Sequence, residues 1–150
     1  MGVVLDEALR FGPPGPGAFP RVVPDGGRVV CGRFVPDGCA VGVHHLSASR
    51  SAGNFADPDA FRPERWLPSH PRHAPYASDD RTAAQPFSHG PRNCIGKNLA
   101  MAEIRIILAR MVWNVDMRLH PDYVGWLAKQ EMFTTWHKTP LNVQLSCRQK

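Results

Sequence analysis

The sequence lacks the cysteine pairs on which disulfide frameworks and structural zinc sites are built. It has four cysteines, Cys31, Cys39, Cys94 and Cys147, which are far apart, and it has no CxxC pair. This pattern argues against both kinds of site and is typical of a reducing compartment. Three of the four, all except Cys94, lie in or beside apolar runs, which predicts that they are packing residues.

Long hydrophobic runs and clusters of basic residues are also missing. No stretch approaches the ~18–20 apolar residues of a spanning helix, and Met1 is not followed by the basic and apolar regions of a signal peptide. We therefore expect no membrane span in this chain. The residues that give the formal net charge of +5 are scattered, which argues against nucleic-acid binding and favours an acidic protein partner.

What the sequence has in excess is proline and glycine, most of it between Phe11 and Pro91. This composition predicts many turns and much ordered loop. A helix is predicted over Val3–Phe11, ended by Gly12-Pro13-Pro14. A small antiparallel sheet is predicted from three short runs, Arg28–Cys31, Arg33–Val35 and Cys39–His44, the last two joined by a turn at Pro36-Asp37-Gly38.

Residues 47–91 show little periodicity, and we expect an ordered meander held by its aromatic residues. These are Phe55, Phe61, Trp66, Tyr76 and Phe87. The aspartates of the same region, Asp57, Asp59, Asp79 and Asp80, are explained by turn chemistry. Two histidine pairs, His44-His45 and His70 with His73, are interpreted as ordinary surface or turn residues rather than metal ligands.

The longest predicted helix runs from Lys97 to about Val115, and apolar residues cover most of its circumference. A helix of this kind is normally buried within a large protein, and little else in the chain could cover it. Phe133–Trp136 and Leu141–Ser146 are predicted to form a terminal hairpin. The sequence therefore indicates a piece of a bigger domain.

Cys94 lies in a loop whose residue types favour a metal-binding thiolate. The loop precedes the long helix, where unpaired N–H groups and the positive end of the helix dipole favour an anion. Gly90 permits a tight turn and Gly96 a close backbone approach. Arg92 supplies a positive charge suited to a carboxylate, and Phe87 can shield the sulfur.

The run Phe87-Ser-His-Gly-Pro-Arg-Asn-Cys-Ile-Gly96 is similar to the cytochrome P-450 signature F-x-x-G-x-R-x-C-x-G at all its fixed positions. The resemblance implies that Cys94 is the axial thiolate ligand of haem iron. It implies that Arg92 contacts a haem propionate and that Phe87 lies against the proximal haem face. Gly90 and Gly96 complete the loop, and Arg21 occupies the place of a second propionate-binding arginine.

Two further motifs follow the order found in cytochromes P-450. Glu7 and Arg10 form an E-x-x-R pair on a helix, and Arg65 belongs to Pro63-Glu64-Arg65-Trp66 in the meander. In that family the helix pair and the meander arginine form a buried network. Carried over, Glu7, Arg10 and Arg65 would fix the meander and the cysteine loop, a structural role in which all three residues are needed together.

The resemblance covers essentially the whole chain and looks most like fungal microsomal members. It implies an α+β fold, mainly α in the intact protein, of which residues 1–150 are the C-terminal haem-binding portion. It implies haem b as cofactor, and O2 and a small apolar organic substrate as reactants. An NADPH-dependent reductase would supply electrons, docked on a basic face that includes Lys97, Arg105 and Arg110. The Gly15–Pro20 loop and Met132-Phe133 are candidate substrate contacts.

Family members are several times longer than this chain. An intact member is located at the endoplasmic reticulum membrane. The N-terminal anchor and the distal helix that carries the oxygen-activating residues are not in this sequence, so we expect no catalytic residue in it and no activity of the isolated chain. The alternative is a truncated, non-catalytic haem-binding remnant or an incomplete gene product.

Overall fold

A computed structural model describes residues 1–148, which group into two compact units, Gly2–Pro86 and the segment from Phe87 onward. The first unit begins with the predicted helix, α1 (Gly2–Phe11). Its inward face is unusual because Leu5 is joined there by two charged residues, Glu7 and Arg10, both 0% exposed. The helix ends as predicted, since Pro13 follows one residue after Gly12 and cannot continue the hydrogen-bond ladder.

The short strands of the first unit form two separate two-stranded sheets rather than the single small sheet predicted. β1 (Arg21–Val22) pairs with β4 (Ala40–Val41), while β2 (Arg28–Val30) pairs with β3 (Arg33–Val35), both antiparallel. The third predicted run is shorter than expected, because only Ala40–Val41 is a strand. β1 has two residues, too few to show the alternation by which a strand is recognised.

Between these sheets and residue 86 the chain is irregular but ordered, as predicted, except for one short helix that was not. This helix, α2 (His45–Ser49), begins where the ring of His44 accepts a hydrogen bond from the Ser47 amide at 3.4 Å. Single 3₁₀ turns follow at Pro63–Trp66, Ala74–Tyr76 and Arg81–Ala83. Two aromatic anchors are buried, with Phe55 1% and Tyr76 7% exposed.

The second unit is organised by the predicted long helix, α3 (Lys97–Asn114), which passes directly into β5 (Val115–Leu119). β5 pairs antiparallel with β8 (Val143–Cys147), so that Met117 lies opposite Leu145. The predicted terminal hairpin is therefore wrong. β7 (Trp136–His137) pairs instead with β6 (Glu131–Met132), and the last strand crosses back to β5.

The cause of that error is the distance along the chain between the paired strands. The alternation of apolar residues at Val143 and Leu145 marks a strand, but it carries no information about a partner more than twenty residues away. Pro140 precedes the last strand closely, and proline interrupts a ladder because it has no N–H to donate. The hairpin that does form lies just upstream of this proline.

The interpretation of three cysteines as packing residues is also wrong. Cys31, Cys39 and Cys147 are exposed, as is Cys94, and all four are free thiols. Cys31 lies in the β2–β3 turn with φ of 49°, a backbone conformation that points to turn geometry rather than to a buried strand. Within residues 1–148, no helix is long and apolar enough to cross a membrane.

Candidate functional site

The loop before α3 is closed by its own backbone. The amide of Cys94 donates to the carbonyl of Phe87 at 2.8 Å, and the amide of Asn93 donates to the carbonyl of Gly90 at 3.0 Å. Ser88 and Gly90 both have positive φ, 61° and 78°. Glycine at position 90 adopts this conformation without the backbone strain that an L side chain would bring.

Cys94 lies three residues before the first residue of α3. Its carbonyl accepts from the Lys97 amide at 3.3 Å, and the carbonyl of Gly96 accepts from the Ala100 amide at 2.9 Å. The thiol is exposed and in no disulfide. It is thus presented at the amino-terminal end of an 18-residue helix, where the helix dipole stabilises negative charge.

The residues around the sulfur fit a ligand that approaches from outside the chain. A Cβ at Gly96 would stand 3.9 Å from the Cys94 Sγ, so the glycine keeps the space beside the sulfur open. Among residues 1–148, no three His, Cys, Asp or Glu side chains are grouped so as to hold a metal ion. A single exposed thiolate is sufficient for a metal, such as haem iron, whose remaining ligands are not protein side chains.

The positively charged residues near the loop are exposed. Arg92 ends the 3₁₀ turn Gly90–Arg92, and the Lys97 ammonium lies 5.8 Å from the centre of the Phe87 ring. Arg21 belongs to the other unit, where its guanidinium donates to the carbonyls of Phe19 and Pro20, both at 3.1 Å. Five of the six predicted haem-site residues therefore lie in the ten-residue loop 87–96, and the sixth, Arg21, belongs to the first unit.

The predicted network of Glu7, Arg10 and Arg65 is present and buried, each side chain being 0% exposed. The Glu7 carboxylate accepts two hydrogen bonds from Arg10, at 2.8 and 2.9 Å, and one from the Nε of Arg65 at 3.2 Å. The remaining Arg10 donors reach three backbone carbonyls, those of Ser49, Pro58 and Ala60. This pairing offsets the desolvation cost of the charges.

Glu7 also holds the 3₁₀ turn of the meander. The Arg62 amide and the Trp66 indole N–H both donate to its carboxylate, at 2.7 and 2.8 Å. Burial raises the pKa of Glu7, but the hydrogen bonds from Arg10, the Arg62 amide and Trp66 outweigh it, so that the pKa lies below its usual value. The carboxylate is therefore ionised in the folded chain at neutral pH.

Sequence reasoning missed a further member of this cluster, Asp79, which it assigned to turn chemistry. Asp79 accepts a hydrogen bond from Arg65, and its side chain is 1% exposed. The neighbouring Asp80 does behave as predicted, because its carboxylate caps the turn at Thr82. The one signal available in the sequence was charge balance, since two arginines buried with a single glutamate leave a positive charge to be neutralised.

Comparison with known proteins places these features in one family. The family model described as Cytochrome P450 matches residues 1–145. The chain is 52% identical over 145 residues to the cytochrome P450 monooxygenase traB of Penicillium crustosum, covering 97% of this chain and 28% of that protein. It is 46% identical over 151 residues to an averantin hydroxylase of Dothistroma septosporum, covering 99% of this chain and 28% of that protein.

The fold is also found among solved structures. The chain is similar to the crystal structure of the cytochrome P450DA heme domain, with a TM-score of 0.78 and 23% identity over 98% of this chain and 31% of that one. The sequence thus spans somewhat less than a third of the length of the relatives and structures it matches.

Proposed function

The chain belongs to the cytochrome P450 family, and we propose that its Cys94 loop is the haem-iron site of a haem-thiolate monooxygenase. The observation that carries this proposal is the exposed, unpaired thiol of Cys94, held at the amino-terminal end of α3 by the hydrogen bond from its amide to Phe87. A thiolate ligand and a fixed loop are the protein's contribution to this chemistry.

We further propose that residues 1–150 are the C-terminal haem-binding portion of a single domain. When bound, haem b would supply the iron that activates dioxygen for insertion of one oxygen atom into an apolar organic substrate. Cys94 would ligate the iron and Phe87 would lie against the proximal face. Gly90 would permit the tight turn of the loop, and Gly96 would permit a close approach of the backbone. Arg92 and Arg21 would neutralise the propionates.

The family implies a redox partner, and the exposed basic residues of the second unit support an acidic one. Lys97, Arg105 and Arg110 are all exposed on α3. We propose an NADPH-dependent reductase as that partner and the endoplasmic reticulum membrane as the location of the intact protein. Exposed charges of this kind speed encounter more than they add affinity, so higher salt should slow electron transfer.

A haem titration of the 150-residue chain tests the ligand assignment. The ferrous–carbonyl spectrum is expected to show a red-shifted Soret band that Cys94→Ala abolishes. Cys147→Ala is the matched control, because it removes another exposed free thiol of the same unit and should leave the band unchanged. A band that persists in Cys94→Ala would contradict the assignment.

The same preparation separates the two hypotheses left open by the sequence. Haem bound through Cys94 with no substrate oxidation on addition of reductase and NADPH would favour a non-catalytic haem-binding role for this chain. Oxidation of an apolar substrate that is lost in Cys94→Ala would favour the monooxygenase.

A further inference from the structure

We propose that Asp79 is a positioning residue for the Cys94 loop, acting through Arg65 and the Ala56 amide. Its carboxylate joins the two ends of residues 56–79, a part of the meander, and so fixes the point from which the chain continues to the loop. This inference rests on the proposed haem-binding role of Cys94 and adds to it a residue outside the predicted network of Glu7, Arg10 and Arg65.

Both carboxylate oxygens of Asp79 accept hydrogen bonds from other residues of the first unit. Oδ1 accepts the Ala56 amide at 2.8 Å, and Oδ2 accepts a hydrogen bond from the Arg65 guanidinium. The side chain is 1% exposed. One carboxylate therefore joins the two ends of residues 56–79 to each other and to Arg65 between them.

The charges of the cluster balance only when Asp79 is included. Arg10 and Arg65 carry two positive charges at 0% exposure, and Glu7 supplies one negative charge. Asp79 supplies the second, in direct contact with Arg65. A buried charge without a partner is strongly destabilising, so the cluster needs this carboxylate as much as it needs Glu7.

The chemistry at position 79 requires a carboxylate and not only a polar side chain. Both of its oxygens face donors, an amide N–H on one side and a guanidinium on the other. An asparagine offers one acceptor oxygen, and its NH2 group would meet one of those two donors. Asp79→Asn therefore keeps the volume while it removes one hydrogen bond and the balancing charge.

The segment that follows carries this restraint towards Cys94. The Asp80 amide donates to the Asn54 carbonyl at 2.7 Å, a second hydrogen bond between the segments around residues 54–56 and 79–80. The turn Arg81–Ala83 comes next, with hydrogen bonds from Ala83 to Asp80 and from Ala84 to Arg81. Phe87, whose carbonyl holds the Cys94 amide, is only a few residues further along the chain.

The test compares Asp79→Asn with Asp80→Asn in the 150-residue chain mixed with haem. Asp80 is the matched control, since it is the adjacent aspartate and an asparagine at position 80 keeps the acceptor oxygen that caps the exposed turn at Thr82. Asp79→Asn is expected to speed hydrogen exchange of the Ala56, Ala83 and Ala84 amides by about tenfold or more. It should also lower the share of bound haem that shows the red-shifted ferrous–carbonyl band, which reports thiolate ligation. Asp80→Asn should change neither the Ala56 amide nor the band.

Asp79→Glu provides a rescue arm, because it keeps the charge and both acceptors. It is expected to fold even where Asp79→Asn does not, and to retain more of the thiolate band. The positioning role would be overturned if Asp79→Asn speeds exchange of the Ala56 amide but leaves the thiolate band undiminished. It would also be overturned if Asp79→Asn and Asp80→Asn have equal effects, or if Asp79→Glu perturbs the chain as much as Asp79→Asn does. If the unsubstituted chain gives no red-shifted band, the haem proposal fails. The exchange rates at Ala83 and Ala84 then still decide whether Asp79 fixes the segment.

Discussion

Glu7 makes more interactions with other parts of its unit than its position on a short helix would suggest. Its carboxylate accepts from Arg10, Arg65, Trp66 and the Arg62 amide. The aromatic ring of Phe55 lies against both guanidinium groups, 5.2 and 5.6 Å from them. Much of the interior of the first unit is therefore ionic, and its stability depends on the ionisation of a carboxyl group.

Acid is expected to unfold the first unit through this residue. The pKa of Glu7 is lowered in the folded chain, so its contribution to stability is complete above the unfolded-state value near 4.5 and is lost as the pH falls through the folded-state pKa. Measured by urea unfolding from pH 7 to pH 3, the free energy of unfolding should fall below about pH 4.5. A Glu7→Gln chain that keeps the same acid dependence would contradict this origin.

Substitution of Glu7 at neutral pH should be costly for a different reason. Glu7→Gln leaves Arg10 and Arg65 buried with less negative charge than they need, and breaking a buried ion pair typically costs about 3–5 kcal/mol. Asp6→Asn is the control, since Asp6 is the adjacent, exposed residue of α1 and should change stability by less than about 0.5 kcal/mol. Thermal melts of the two variants check the difference.

A second titrating group acts in a higher pH range. His45, 7% exposed, has its ring edge-to-face with Phe19 at 5.3 Å, and its Nδ1 has no hydrogen-bond partner. Burial lowers the pKa of His45, and the nearby His44 lowers it further. A hydrogen bond to Gly15 raises the pKa, but the net shift is downward. Stability should therefore be complete above about pH 6.5 and decrease as the pH falls through the folded-state pKa. An NMR titration of the ring protons checks the direction, and a midpoint above 6.5 would contradict it.

At the scale of the element, α3 is the feature that the sequence predicted best. Its bounds and its wide apolar arc were both evident from the composition of residues 97–115, and no residue of the helix is buried. The exposed apolar side chains include Leu99 at 65%, Ile106 at 58% and Trp113 at 65%. The 150-residue chain is expected to self-associate through this face, since patches of this kind favour association.

Charge on that face should reduce self-association. Ile106→Lys is expected to raise the concentration at which association begins, as measured by sedimentation velocity, because a charged side chain opposes burial of the patch. Arg105→Lys, next to it on the same helix, keeps the charge and should have no effect. Equal association of both variants would show that another surface is responsible.

The elements that could not be predicted share one physical cause, which is that their formation depends on distant residues. The helix α1 and the turn Pro36–Gly38 follow from local signals, proline after the helix and glycine with φ of 74° at Gly38. The pairing of β5 with β8 and of β1 with β4 is set by packing that no local pattern encodes. The same holds for Asp79, whose sequence neighbourhood is that of a turn.

At the scale of the whole molecule, the buried residues among residues 1–148 all belong to the first unit. The buried apolar residues include Leu5, Val23, Phe55 and Tyr76, and none of residues 87–148 is buried. Single helices gain most of their stability from packing of one face. The amides of α3 are therefore expected to exchange with solvent faster than those of α1. Comparable protection of the two helices, measured by hydrogen exchange at low protein concentration, would contradict this.

Because all four cysteines are exposed, the number of thiols that react with a labelling reagent shows whether a ligand is bound at Cys94. An alkylating reagent followed by intact-mass measurement should add one label for every accessible thiol, and in the bare chain each of the four should react. A ligand bound through the sulfur of Cys94 would remove a single label from that total, and peptide mapping would show which thiol was spared. The stoichiometry of modification thus reports on the ligand independently of any spectrum.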